Sequence, residues 1–252
     1  MKIGIAIPVR LGSERLPNKP LVDLMGLPMI RHVWERAKLS KKADEVVIVT
    51  PDIEIQHLME PLGANVILSK KQHMSGTSRI EEISRNLNWD KFLILQGDEP
   101  LIIPNSLDLM IKKLSVPEIK FVNSISPIKS SKELDDESIV KCTLNHNNSI
   151  IFMYRKNPFV NYLKFFRSIS YKVNGLYGMS ADILHNWSNM KNCIVERTQS
   201  IEQIRLIFNG HVIDTLELTE TYPSINIEID IKKVLTVMKN DKDQQNIMSK
   251  YV

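Results

Sequence analysis

The chain has 252 residues, of which 43% are hydrophobic, and this is enough to enclose a full core in one α/β domain or one domain with a small appendage. Lys and Arg number 33 against 29 Asp and Glu, a net charge of only +4 spread along the chain, which argues against nucleic acid as a partner. No apolar run approaches the roughly 20 residues that span a bilayer, so no membrane partner is expected and the protein is assigned to the cytoplasm. Cys142 and Cys193 lie far apart without metal-ligand spacing, and both read as reduced thiols.

In chain order, the first residues, MKIGIAIPVR, resemble a leader only briefly, because Pro8 and Arg10 cut the apolar run off; they read as an edge-to-core first strand. Three more continuously apolar, β-branched runs follow, VVIVT from Val46, NVILS from Asn65 and FLILQ from Phe92, of the kind covered by helices on both faces. Between the first two lies MIRHVWERAKL, where Met29, Ile30, Val33, Trp34 and Ala37 recur at helical spacing behind Pro28. This βαβα rhythm predicts a doubly wound, mostly parallel sheet. After Leu101 the rhythm changes. Strand candidates IVKCTL from Ile139 and IIFMYR from Ile150 come without long helices between them and predict an antiparallel excursion. A helix around SIEQIRLIF, a strand around HVIDTLEL, a short SINI strand and a final helix around IKKVLTVM complete the chain. No linker separates these parts, so the reading is one domain, 1–252, with an inserted antiparallel subdomain at about 120–180.

The loop after the first strand, IPVRLGSERLPNKPL, interleaves Arg10, Arg15 and Lys19 with Gly12, Ser13 and Pro17. It has neither the GK[ST] ending of a P-loop nor the three spaced glycines of a dinucleotide fingerprint. Cations at the C-terminal end of the first strand of an open α/β sheet nevertheless sit where such folds bind ligands. A polyphosphate is the expected guest, neutralised by fixed Arg and Lys donors and by backbone N–H groups freed at Gly12 and Ser13. Downstream, Asp98 follows the buried-looking FLILQ strand, where a carboxylate without a cation or donor would be costly; it is the metal candidate.

The stretch from Pro8 to Leu21 with GLPMIRHVWERA behind it, SGTSRI from Ser75 to Ile80, and LQGDEPLI from Leu95 to Ile102 resemble the corresponding blocks of the CMP-Kdo synthetases, the 3-deoxy-manno-octulosonate cytidylyltransferases. Weaker likeness continues through IVK at Ile139, GLYG at Gly175 and IEQIRLIFNG at Ile201, covering nearly the whole chain.

The resemblance implies a nucleotide-diphospho-sugar transferase-like fold and transfer of CMP from CTP to an acidic sugar with release of pyrophosphate, for lipopolysaccharide or capsule assembly. It implies Mg2+ as cofactor and a homodimer built through the inserted subdomain. Pro8, Arg10, Gly12, Ser13, Arg15, Lys19, Ser75, Gly76, Thr77 and Arg79 are then the nucleotide-binding set, with Arg10, Lys19 and Asp98 catalytic. Gln96, Arg155, Tyr177, Glu202 and Gln203, together with Lys141, form the acceptor side; Arg155 reads equally as a carboxylate partner and as a structural ion pair.

Two positions depart from the family. Its late V-D-T-x-E-D block, whose first Asp is a metal ligand, reads INIEIDIKKV here, so the second metal position is Asn226, an amide that brings no charge. Glu228 or Asp230 is expected to compensate by spacing. The family's His before the LGIYGY-like block is Val173 here, in KVNGLYGM. These departures leave two alternatives open, the same chemistry on another ulosonic acid or amino-Kdo, and a degenerate CTP-binding protein. A glycosyltransferase of similar fold is disfavoured because Asp98-Glu99-Pro100 stands where a D-x-D motif belongs. No side chain presents itself as a general base: His32 reads as a helix-face residue, His73 as a loop residue, and the Asp135–Glu137 run as a solvated turn.

Overall fold

The computed structural model describes residues 1–13, 15–156 and 169–250. Its frame is a nine-stranded sheet among these residues, in the order β11 (Asp214–Glu217), β7 (Phe121–Pro127), β10 (Ser170–Ser180), β6 (Lys91–Leu95), β1 (Ile3–Pro8), β4 (Glu45–Thr50), β5 (Asn65–Leu68), with β8 (Lys141–Leu144) and β9 (Ile150–Tyr154) branching from β10; β2 (Asp23–Leu24) and β3 (Leu27–Pro28) pair apart from it. The central strands are β1 (Ile3–Pro8), β4 (Glu45–Thr50), β5 (Asn65–Leu68) and β6 (Lys91–Leu95). They pair in parallel, as their unbroken apolar runs require when helices cover both faces. Every residue of β1 is buried, and it pairs with β6 on one side and β4 on the other. The expectation of an edge-to-core first strand is therefore corrected: β1 is interior along its whole length.

Helices α1 (Met29–Ala37), α2 (Ile53–Met59) and α4 (Pro104–Leu114) pack on one face, where Ile5, Ile7, Ile30, Val33, Leu93 and Met110 share a core. Helix α3 (Gly76–Ser84) covers the other face, with Ile80 and Ile83 against Ala6, Val49, Phe92 and Ile94. The strand–helix alternation continues past Leu101 through α4 into β7 (Phe121–Pro127), beyond the predicted change of rhythm. One buried amine serves the turn between them: Lys91 Nζ donates to the carbonyls of Leu114, Val116 and Ile119 at 2.7, 2.8 and 2.9 Å, satisfying the C-terminal end of α4.

The predicted antiparallel excursion is β8 (Lys141–Leu144) and β9 (Ile150–Tyr154), and it includes a further long strand that the sequence reading did not anticipate, β10 (Ser170–Ser180). β10 runs antiparallel to both β6 and β7 and lies between them, while β8 pairs antiparallel with β10 and with β9. Part of this segment, residues 157–168, lies outside the described residues. The later helix is shorter than the sequence suggests, Ile204–Phe208, and β11 (Asp214–Glu217) pairs parallel with β7. The short SINI strand is not formed. Ser224–Ile227 is irregular because its N–H groups serve other ends: that of Ile225 donates to the Asp98 carbonyl at 3.0 Å, and those of Asn226 and Ile227 donate to the Asp230 carboxylate. The final helix, Glu228–Met238, starts there, followed by Lys242–Met248.

His32, on the buried face of α1, fastens the C-terminal end to the core. Its Nε2–H donates to the Leu24 carbonyl at 2.8 Å and its Nδ1 accepts from Gln244 Nε2 at 3.0 Å, which fixes a neutral imidazole. Burial, the largest cause, holds its pKa below the ordinary 6.5. Below pH 6.5 the unfolded chain therefore binds a proton that the fold refuses, and stability falls until the folded imidazole itself titrates. Thermal melts from pH 8 to 5 should show the native chain losing stability through that window relative to a His32→Gln variant; parallel pH curves would rule the neutral buried imidazole out.

Candidate active site

The C-terminal ends of β1 and β6 sit side by side, so the loops that leave them face one another at the edge of the sheet. A cleft of about 340 Å³ lies there, bordered by Pro8, Arg10, Ser13, Arg15, Lys19, Ser75, Gly76, Arg79, Gln96 and Asp98. Most of the residues that the sequence assigns to a polyphosphate are thus brought together. Gly12, exposed, does not border it, and Thr77 is buried behind it. Four cations face one carboxylate, a balance suited to a polyanion. Ser75 caps α3 by accepting from the Ser78 N–H at 3.2 Å, so a nine-residue helix directs its positive end at the cleft. Gly76 is needed for close approach: a Cβ there would lie 3.0 Å from Pro8 Cγ.

The cationic loop is held by contacts that sequence reasoning missed. Asp52, at the end of β4, accepts from the Leu11 N–H at 2.7 Å, and the N–H groups of Ser13 and Asn18 both donate to the Leu11 carbonyl. Glu82 of α3 accepts from the Lys70 and Lys71 N–H groups and meets His73 Nε2 at 2.5 Å; the His73 carbonyl in turn accepts from Arg10 at 3.5 Å. Asp52 had the signal used for Asp98, a carboxylate ending an apolar strand. Glu82 had none, because two of its three partners are backbone N–H groups of a loop.

Lys19 Nζ bonds Asp98 Oδ2 at 2.6 Å and the Ile225 carbonyl at 3.2 Å, and Arg15 donates to Asn226 Oδ1 at 3.2 Å. Asp98 and Asn226, the two expected metal positions, are thereby gathered against the same loop. Their donors are all oxygens, a carboxylate and an amide, which fit a hard divalent cation completed by substrate phosphates. Among the described residues no three His, Cys, Asp or Glu side chains form a metal cluster. Asp230 is engaged at the start of the final helix. Its Oδ2 caps the final helix at the Asn226 and Ile227 N–H groups, and its Oδ1 accepts from Lys233 at 2.7 Å; Glu228 is exposed.

Gln96 and Asp98 also border a second cavity of about 600 Å³, which is lined as well by Arg155, Tyr177, Glu202, Gln203 and Asn226. Tyr177, buried, joins the two spaces: its hydroxyl donates to Glu202 Oε1 at 3.2 Å, lies 2.8 Å from Thr77 Oγ1 and accepts from Gln96 Nε2 at 3.3 Å. Thr77 also donates to Glu202 Oε1 at 2.7 Å. Burial raises the Glu202 carboxyl above its ordinary range, and burial with the nearby Glu202 charge raises the Tyr177 hydroxyl. Arg155 borders the cavity with its guanidinium bonded to the carbonyls of Gln199, Glu137, Ser138 and Ser200. Lys141 is fully buried, bonds the Asp136 carbonyl at 2.8 Å, and is lowered by burial to about 8. Val173 borders this cavity too, an apolar side chain where the resemblance expects imidazole.

Glu99 is a further unanticipated member. Its carboxylate accepts from Ser224 Oγ at 2.9 Å and lies so close to β10 that a Cβ on Gly175 would come within 2.4 Å of it. Burial first and the Asp98 charge second raise its pKa to about 8. The register shift of β10 between Val173 and Tyr177 makes the space for it.

Residues 4–217 match the family model described as cytidylyltransferase. The chain is 35% identical over 248 residues to the 3-deoxy-manno-octulosonate cytidylyltransferase of Chlorobium limicola, covering 95% of this chain and 98% of that one. It is 32% identical over 241 residues to the enzyme of that name from Escherichia coli, covering 95% and 97%. A solved structure of CMP:2-keto-3-deoxy-manno-octonic acid synthetase complexed with CTP superposes with a TM-score of 0.88 at 31% identity, over 95% of this chain and 99% of that chain.

The Thr77–Tyr177–Glu202 network predicts its own test. Thr77→Val removes the bond to Glu202 and the contact with Tyr177 together, and should cost about 1–2 kcal/mol in urea denaturation; an unchanged midpoint would show that the network does not hold α3 to β10.

Proposed function

The chain belongs to the cytidylyltransferase family, and on that premise we propose that it transfers CMP from CTP to 3-deoxy-manno-octulosonate, releasing pyrophosphate, for lipopolysaccharide or capsule biosynthesis. The observation that carries this reading is the pair of cavities meeting at Gln96 and Asp98, one cationic and sized for phosphates, the other lined for a polar acceptor.

Arg10, Arg15, Lys19 and Arg79 neutralise the triphosphate and the departing pyrophosphate, with the N-terminal end of α3 adding its dipole. Ser75, Gly76 and Thr77 bring α3 against the nucleotide. Asp98 and Asn226 hold a divalent ion, Mg2+ in this reading, whose chemistry when bound is to polarise the α-phosphoryl oxygens and lower the pKa of the attacking hydroxyl. Gln96, Tyr177, Glu202 and Gln203 orient the acceptor so that its hydroxyl faces the α-phosphorus in line with the leaving group. With Asn226 in place of a carboxylate, the ion is held by less charge.

A second reading keeps the chemistry and changes the acceptor to another ulosonic acid or amino-Kdo. Val173, which offers no hydrogen bond to the larger cavity, favours it. We further propose one domain, 1–252, with an inserted acceptor and dimerisation subdomain at about 120–180. Within it β9 pairs only with β8 among the described strands, while Ile151 is 54% and Phe152 38% exposed, as befits a homodimer contact. No described helix is long and apolar enough to cross a membrane, and a cytoplasmic location suits the CTP supply.

Pyrophosphate release from CTP with Kdo and a panel of acidic sugars tests the assignment. Kdo should give the highest kcat/KM, and Asp98→Ala should lower it about a hundredfold or more; release that no panel member stimulates would refute it. For the metal, Asn226→Asp should lower the Mg2+ concentration for half-maximal rate by about tenfold. An unchanged Mg2+ titration would remove Asn226 from the ion's surroundings.

A further inference from the structure

Strand β7 carries a polar side chain that packing does not require. Asn123 is fully buried, on the face of β7 shared with Phe121 and Ile125, and pairs in register with Tyr177. Its Nδ2 donates to Oε1 of Gln203, and its own Oδ1 has no partner among the described residues. An apolar side chain of similar size would bring no unpartnered oxygen of its own into this core, so the packing of the sheet does not account for the amide.

Gln203 does account for it. This residue is only 7% exposed and borders the larger cavity, which Asn123 itself does not line. A glutamine amide has a donor end and an acceptor end, and half a turn of its last torsion exchanges them. With Oε1 taken by Asn123, the Nε2 end is left for the cavity. We infer that Asn123 is a positioning residue that locks the Gln203 amide so that it donates a hydrogen bond to an oxygen of the acceptor. The inference rests on the larger cavity being the acceptor site. An acidic sugar presents carboxylate and hydroxyl oxygens, which a locked donor attracts and a locked acceptor oxygen repels.

Steady-state kinetics with Kdo as the varied substrate and saturating CTP and Mg2+ test this. Asn123→Val frees the Gln203 amide, and Asn123→Asp, once ionised, accepts from Nε2 and turns Oε1 towards the cavity. Both should raise the KM for Kdo about tenfold while leaving the KM for CTP within twofold. The Asn123→Val/Gln203→Leu double variant should be no worse than Gln203→Leu alone, because the first residue acts through the second. A Kdo KM within twofold of the native value in both Asn123 variants, beside a tenfold rise in Gln203→Leu, would overturn the positioning role and leave the acceptor-site reading standing. A native Kdo KM in Gln203→Leu would overturn both. Should Asn123→Val give no cooperative melt, Asn123→Ser, smaller than the native residue, carries the same expectation and the same overturning result.

Discussion

The contact on which the rest of the site depends is the one between Lys19 and Asp98. At 2.6 Å, with both side chains mostly withdrawn from solvent, it compensates a carboxylate that an apolar strand has carried to the edge of the core. The same ammonium reaches the Ile225 carbonyl, and the Asp98 carbonyl accepts from the Ile225 N–H. Three segments far apart in sequence are thus tied at one point: the first loop, the turn after β6 and the irregular stretch before the final helix. The shape of both cavities follows from this tie, since Asp98 borders each of them.

A second set of contacts, around Tyr177, links the surroundings of the two cavities. Thr77 belongs to the helix whose positive end faces the cationic cleft; Glu202 belongs to the segment that lines the other cavity; Tyr177, on β10, holds both. Movement of α3 on nucleotide binding would therefore be felt by Glu202 through hydroxyl bonds alone, in a buried setting where such bonds are strong and their loss is costly.

Much of this arrangement was legible in the residues, and the limits have physical causes. β1, β4, β5 and β6 announce themselves because both faces are covered and their apolar runs are continuous. Arg10, Lys19 and Asp98 follow from strand-end position. The rest of the sheet was harder: β10 has half-buried, polar and glycine positions in its first half, and β7 reads FVNSISP, with Asn123, Ser124 and Ser126 buried although polar. Such a strand shows no apolar periodicity. The SINI segment misled in the opposite sense, having β-branched residues whose N–H groups are claimed by Asp98 and Asp230 rather than by a ladder. Asp230 reads in the sequence only as a carboxylate near Asn226, and its capping of the final helix is not legible there. Glu99 stood inside a recognised block, yet only the structure reveals how closely its half-buried carboxylate lies against Gly175.

The placement of β10 also bears on how the chain is made. β6 and β7 are not neighbours; the slot between them is filled by a strand that leaves the ribosome some seventy-five residues after β6 ends. Until then the apolar edge of β6 has no partner, and the nascent chain carries an open seam through the middle of its sheet. Closure of that seam is a long-range event, slow by its loop entropy, and it creates the Thr77–Tyr177 contact and the bed for Glu99 in the same step. The larger cavity is therefore finished after the cationic cleft, whose lining residues all lie between Pro8 and Asp98 and are in place before β10 is made.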